Sequence, residues 1–227
     1  MAPIFAINGY ILLFLMLLAS IASFYKWKLA SLGTRVLCIN IFINLTFDSI
    51  DFFNKVPTSV WFHQSFFLLD FTTQCLFFNY CIEDMRKRKA GFIGLGVGLM
   101  VWLGLLLYFN KNIEQSDVPA YQISLQGIIN ILLSLMALYF LISKEKKLPL
   151  YKQPVFWFVS GILTCFATTY FFWGFQSVIK TNLPLYHFAV IFMLIMNDVY
   201  YLALIRGYFL YKVPNPVSSI KPGSYEQ

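Results

Sequence analysis

Seven apolar stretches, each about the 20 residues that a helix needs to cross a bilayer, leave this chain few folds to choose from. They run approximately over 4–24, 34–54, 60–82, 91–109, 120–142, 154–178 and 184–208. In lipid every backbone N–H and C=O must find a partner inside the structure, and a helix does this within the segment itself. Composition agrees. Only 12% of the residues are charged, against about 25% in a typical soluble domain. That is too little polar surface to cover a protein in water, so lipid is the solvent. The 25 Phe suit a lipid-facing surface, and the 14 Tyr suit its interfaces. The expected fold is an all-α integral membrane protein, a bundle of seven transmembrane helices within residues 1–212. A short polar cytoplasmic tail, 213–227, follows it. Pro57, Asn110, Asn112, Pro149, Pro154 and Pro184 fall in or beside the connections. No proline lies deep in a span, so the helices should be mostly unkinked.

Lys and Arg set the direction. Lys26, Lys28 and Arg35, then Arg86, Lys87, Arg88 and Lys89, then Lys144, Lys146, Lys147 and Lys152, and last Arg206, Lys212 and Lys221 all fall on one side. The other side holds Lys55, Lys111 and Lys180. The positive-inside rule then places the N-terminus outside and the C-terminus in the cytoplasm. The first span offers small residues around Ala19 to Ser23, as a cleavable signal does. The basic residues follow it rather than precede it, which is the order of a retained anchor.

Polar residues inside the spans recur at helical spacing. Asn40, Asn44, Asp48 and Asp51 share one face of the second span. His63, Asp70 and Gln74 share one face of the third. Gln122, Gln126, Asn130 and Ser134 do so in the fifth, and Ser160, Thr164 and Thr168 in the sixth. His187 and Asp198 stand three turns apart in the seventh, with Tyr201 one turn further. Folding the second and third spans about Pro57 puts Asp51 level with His63, Asn44 with Asp70, and Asn40 with Gln74. A polar seam between these helices is expected. Such residues usually face the bundle interior. Hydrogen bonding between helices accounts for the amides and hydroxyls. The intramembrane aspartates have no intramembrane Lys or Arg to neutralise them, and ask for water, a proton, a bound cation or His63. The candidate ligand or ion cavity is therefore Asn44, Asp48, Asp51, His63, Asp70, Gln74, Gln126, Asn130, His187 and Asp198. The first and fourth spans lack such stripes and are expected to face lipid or another subunit. Gly94 and Gly98 in the fourth permit close helix approach, within the chain or in a homodimer.

Several chemistries are excluded. No lysine lies between Lys180 and Lys212, so the last span cannot carry a retinal Schiff base. Two histidines cannot build a three-His zinc site. Ser160 follows Val159 and lacks the preceding Gly of a rhomboid nucleophile. No phosphate-binding loop or dinucleotide fingerprint is present. Cys38, Cys75, Cys81 and Cys165 all lie in apolar segments with no Cys-x-x-Cys pair, and read as packing residues. Sugar-transporting SWEET helices hinge on internal prolines that these spans lack. An enzyme using aspartates alone has no positive support, and no metal, cofactor or nucleic acid is expected.

Residues 148–163, Leu-Pro-Leu-Tyr-Lys-Gln-Pro-Val-Phe-Trp-Phe-Val-Ser-Gly-Ile-Leu, carry the pattern Pro-x-Phe-Trp-x-x-x-Gly-x-Leu. An aromatic-rich helix and a last span containing Asn197 follow. Over about 140–210 this resembles the seven-transmembrane region of bacterial sensor histidine kinases and their stand-alone relatives. The chain departs from the kinases in having no dimerisation helix, phospho-acceptor His or ATP domain. The resemblance implies a membrane module in the bacterial inner membrane that signals through a separate cytoplasmic partner. The expected function is a non-enzymatic sensor or accessory subunit whose polar cavity binds a small molecule or lipid. Arg86, Lys87, Arg88, Lys89, Lys144, Lys146 and Lys147 would meet a partner or anionic lipid, or serve only as topology determinants. The alternatives are a transporter coupled to protons or cations through its aspartates, and a structural subunit of an envelope complex.

Overall fold

The structure, a computed structural model, describes residues 2–53, 60–108, 118–143, 149–175, 179 and 181–211. Lys55, Pro57, Lys111, Lys144, Lys146, Lys147, Lys180 and the tail 213–227 lie outside the described residues. Among the described residues the chain is helical, with no strand. In chain order come α1 (Ala2–Tyr25), α2 (Leu32–Phe53), α3 (Val60–Cys81), the short α4 (Glu83–Lys87), α5 (Ala90–Tyr108), α6 (Val118–Ser143), a 3-10 turn (Leu150–Lys152), α7 (Pro154–Gly174) and α8 (Leu183–Phe209).

Local chemistry sets several helix ends. Pro154 and Pro184 open α7 and α8, where a missing N–H costs nothing. Asn182 caps α8 by accepting from the Leu185 N–H at 3.2 Å. The stretch around Arg86–Lys89, expected to be a loop, forms a helical turn. Its acids, Glu83 and Asp84, stand at the N-terminal end and its bases, Arg86 and Lys87, at the C-terminal end, as the helix dipole favours. Glu83 pairs with Lys87 at 2.9 Å one turn on. Lys89 then adopts a left-handed φ of 51°, and the chain reverses into α5.

Six helices close a ring. α1 packs on α2, α2 on α3, α3 on α6, α6 on α7, α7 on α8, and α8 returns to α1. α5 lies outside the ring against α3 and α6. α5 meets the expectation for the fourth span, and α1 exposes Tyr10, Phe14, Ile21 and Phe24 as expected of the first while its other face walls the interior. An apolar helix can wall an interior as well as face lipid, and polar spacing cannot detect that role. Gly9 makes room on α1, since any side chain there would meet the ring of Phe52.

The basic segments meet at one end of the bundle. The start of α2 packs on the end of α3, with Gly33 against the backbone of Tyr80 and Cys81. It also meets the residue beyond α8, where Thr34 and Tyr211 hydroxyls lie 2.6 Å apart. Arg88 stacks over Phe140 near the end of α6. Phe158, near the start of α7, packs on Tyr208, near the end of α8, at 4.9 Å between ring centres.

Polar side chains are buried inside the bundle, and its outside is apolar. Asn40, Asn130 and Ser134 are fully buried. Leu132, Leu135, Tyr139 and Ile142 form an exposed stripe on α6, and Met100, Leu103 and Leu107 do the same on α5. Apolar surface on this scale is stable against lipid rather than water. Among the described residues, six helices are long and apolar enough to cross a membrane. α3 has 22 residues, and at 1.5 Å per residue it spans about 33 Å. Its Gln64, Asp70, Gln74 and Asn79 lower its hydropathy, and all four are buried inside the bundle.

Candidate functional site

Asp70 is the hub of the interior. It projects from the middle of α3, and its carboxylate accepts four amide N–H groups. Asn40 Nδ2 donates to Oδ1 at 2.8 Å and Asn44 Nδ2 at 3.0 Å, both from α2. Gln74 Nε2, one turn along α3, lies 2.9 Å from each oxygen. Gln126 Nε2 of α6 donates to Oδ2. Backbone carbonyls fix which way the two asparagines point. Asn44 Nδ2 also donates to the carbonyl of Asn40 at 3.0 Å, and Asn40 Nδ2 to that of Asp70 at 3.4 Å, and only a nitrogen can do so. Asn130 Nδ2 reaches Gln74 Oε1 at 2.6 Å and extends the network down α6. Three helices are tied through one carboxylate, whose lone pairs are filled by donors.

Beside the hub lies a cavity of about 610 Å³ inside the ring. α2 and α3 contribute Asn44, Asp48, Asp51, Asp70 and Gln74 to its wall. α1 supplies Gly9, Leu12, Leu13 and Met16, and α6 supplies Ile123 and Gln126. α7 adds Cys165, Phe166, Thr169 and Trp173, and α8 adds Asn197, Tyr200 and Tyr201. Most of these positions fall in the half of each helix away from the basic end, and Met16, Gln74, Asn197, Tyr200 and Tyr201 lie just past the middle of theirs. Asp51, which is exposed, brings the cavity to the surface there. Toward the basic end the interior is solid. Leu37, Ile41, Phe77, Phe78, Phe158 and Leu204 are each almost completely buried. The cavity is thus a one-ended vestibule with its floor near mid-bundle.

Its electrostatics are one-signed. Three aspartates line it, and no Lys, Arg or His is among the described lining residues. Asp48 and Asp51 stand one turn apart on α2, at the level above Asp70.

The structure brings together six of the ten residues that spacing singled out: Asn44, Asp48, Asp51, Asp70, Gln74 and Gln126. Asn130 stands behind the wall, bonded to Gln74. His63, His187 and Asp198 are not among the lining residues. The phase of α8 explains Asp198. Asn197, Tyr200 and Tyr201 turn inward, and the residue after Asn197 is rotated about 100° away from it. His63 sits on the first turn of α3 beside Phe62, and His187 beside Tyr186. Spacing also left out Thr73, which accepts from Asn40 at 2.7 Å, and the aromatic wall of Phe66, Trp173 and Tyr200. Aromatic residues are so common in this chain that position in the fold, not composition, distinguishes these.

Gly94 and Gly98 both face inward within the chain. A side chain at Gly98 would meet Phe71, and one at Gly94 would lie 3.2 Å from Ile129 and Leu133. They serve the packing of α5 on α3 and α6.

Fold and interior together define an all-α, multi-pass membrane protein built around an acidic cavity. No protein-family model, curated protein or solved structure matches the chain.

Proposed function

We propose that the protein is a non-enzymatic sensor or accessory subunit with seven membrane spans, its N-terminus outside and its C-terminus in the cytoplasm. α3 is the seventh span. Its Gln64, Asp70, Gln74 and Asn79 are buried inside the bundle, so its modest hydropathy is no obstacle to crossing. The basic end faces the cytoplasm by the positive-inside rule. The membrane is the bacterial inner membrane, on the resemblance over about 140–210.

One observation carries the functional reading. The cavity opens away from the basic end, and toward that end Phe77, Phe158 and Tyr208 are packed and fully buried. A vestibule of this shape and size suits binding of a small ligand from outside. The exposed bases of α4 and its flank, Arg86, Lys87, Arg88 and Lys89, lie at the opposite end, where a separate cytoplasmic partner would dock.

Topology is tested by single cysteines in a cysteine-free background. Lys180→Cys is expected to react with a membrane-impermeant maleimide in intact cells, and Lys87→Cys only after permeabilisation. The reverse pattern would invert the assignment. Function is tested in proteoliposomes. No proton, sodium or potassium flux above protein-free liposomes is expected. Flux that disappears in Asp70→Asn would replace the sensor with a transporter.

A further inference from the structure

We infer that the cavity takes a small organic ammonium ion, a primary or secondary amine carrying an apolar or aromatic body. This rests on reading the cavity as a ligand site. Four observations select the class. The wall holds Asp48, Asp51 and Asp70 with no described cation among them, so an anion would be repelled and a cation drawn in. No group of three or more His, Cys, Asp or Glu among the described residues is close enough to hold a metal ion. The carboxylates are spread along the wall instead, and a space of about 610 Å³ is far larger than a bare ion needs. Aromatic rings from three sides, Phe66, Phe166, Trp173 and Tyr200, offer faces to a cation and to an apolar body.

The fourth observation is an unmet polar group. Tyr200 is 5% exposed, lines the cavity, and its hydroxyl has no hydrogen-bond partner. A buried hydroxyl without a partner is costly unless something enters to meet it. An ammonium N–H supplies the donor that the phenol oxygen can accept. The carboxylates divide the remaining work. Asp70 is already filled by amide donors and contributes its field. Asp48, whose side chain is tied into no such network, is the group that meets the ammonium directly. Asp51, exposed at the mouth, lies on the entry path.

Three molecules of one shape test this: phenethylamine, 2-phenylethanol and 3-phenylpropionate. They present a cation, a neutral hydroxyl and an anion on a similar aromatic body. Binding is measured by calorimetry on the full chain in lipid nanodiscs at constant ionic strength. Phenethylamine, protonated at neutral pH, is expected to bind saturably and at least tenfold more tightly than 2-phenylethanol, with 3-phenylpropionate silent. Asp48→Asn should weaken it at least tenfold. Tyr200→Phe should weaken it several-fold while leaving the thermal melt of the empty protein intact, since it removes only an unpartnered hydroxyl. Equal binding of the alcohol, preference for the anion, or unchanged affinity in both variants overturns the inference. If the alcohol binds as tightly as the amine, or the anion binds saturably, the ligand site stands and only its charge class falls. If none of the three binds, the inference falls, and cation flux in proteoliposomes then decides whether the sensor reading falls with it.

Discussion

Asp70→Ala is expected to destabilise the protein by about 3 kcal/mol, among the largest effects of any single polar substitution in the interior. The carboxylate is the shared acceptor for Asn40, Asn44, Gln74 and Gln126. Three of those bonds join helices, two from α2 and one from α6. A hydrogen bond between membrane helices contributes about 0.6 kcal/mol on average and about 1.7 at most. Bonds to a charged acceptor fall higher, at about 1.5–3 kcal/mol. Alanine also strands the buried amide donors of Gln74 and Gln126, while Asn40 and Asn44 keep other acceptors. For a chain of this size 1 kcal/mol moves the melting midpoint by about 2–4 °C, so a drop of about 6–12 °C is expected in a detergent melt. Asp70→Asn should lose roughly half as much, because one amide oxygen still accepts from α2 while the new NH₂ meets the donor of Gln126. Asn40→Ala, Asn44→Ala and Gln126→Ala should cost about 1 kcal/mol each, and less than additively when combined, because they share one partner. If Asp70→Asn melts with the parent protein, the carboxylate is not the acceptor that holds α2, α3 and α6 together.

This hub was legible in the sequence to an unusual degree. Four-residue spacing placed Asn40, Asn44 and Asp48 on one face. The hairpin about Pro57 set Asn44 level with Asp70, and the two are bonded. Asn40, set level with Gln74, does lie at that height, where it touches Thr73. It still donates to Asp70 one turn away, because the Gln74 amide oxygen is taken by Asn130. What spacing could not supply was the partner helix. Gln126 and Asn130 announce a polar face on α6, but only the ring order of helices says that this face meets α3. The same limit explains the misplaced residues. Asp198 is polar and intramembrane, yet its neighbours Asn197 and Tyr201 own the inward phase of α8, while His187 shares the phase of Leu194 but sits near the start of the helix, outside the lining residues. Six residues of the cavity wall were legible because their chemistry is rare in a membrane. Most of the rest, from Leu12 and Met16 to Trp173, are apolar or aromatic and carry no signal until the fold assembles them, while Thr169 and Asn197 are polar wall residues that the stripes left out.

The second large effect concerns glycine. Gly91→Ala is expected to cost about 3 kcal/mol, near the upper end for overpacking, and to loosen α5 from α3. A side chain at Gly91 would run into the backbone oxygen of Cys75. It would also lie 2.6 Å from the Cβ and 2.7 Å from the backbone nitrogen of Asn79. Helix backbone cannot swing aside as a side chain can, so α5 as a whole must shift, and the seating of Gly94 and Gly98 shifts with it. Gly33→Ala meets the same kind of obstacle on the other flank of α3, with the Cys81 nitrogen and the Tyr80 carbonyl carbon each 2.8 Å away. Gly98→Ala should cost less, since what it meets is the far edge of the Phe71 ring. Gly96 and Gly104 lie on the outer face of α5, where a Cβ would have no neighbour within 4 Å. Alanine there should leave the melting midpoint unchanged or raise it slightly, by up to about 1 kcal/mol of helix propensity. Melts of Gly91→Ala and Gly96→Ala, measured side by side with size-exclusion profiles, separate two uses of a glycine-rich helix. Equal losses would mean that a second copy of the chain covers the outer face. Loss at Gly91 alone would place every close approach of α5 inside one chain. The Gly94-x-x-x-Gly98 step stands out in the sequence because it matches a known spacing. Gly91, one turn earlier, makes the closer contact, because it is the residue that meets another helix backbone to backbone.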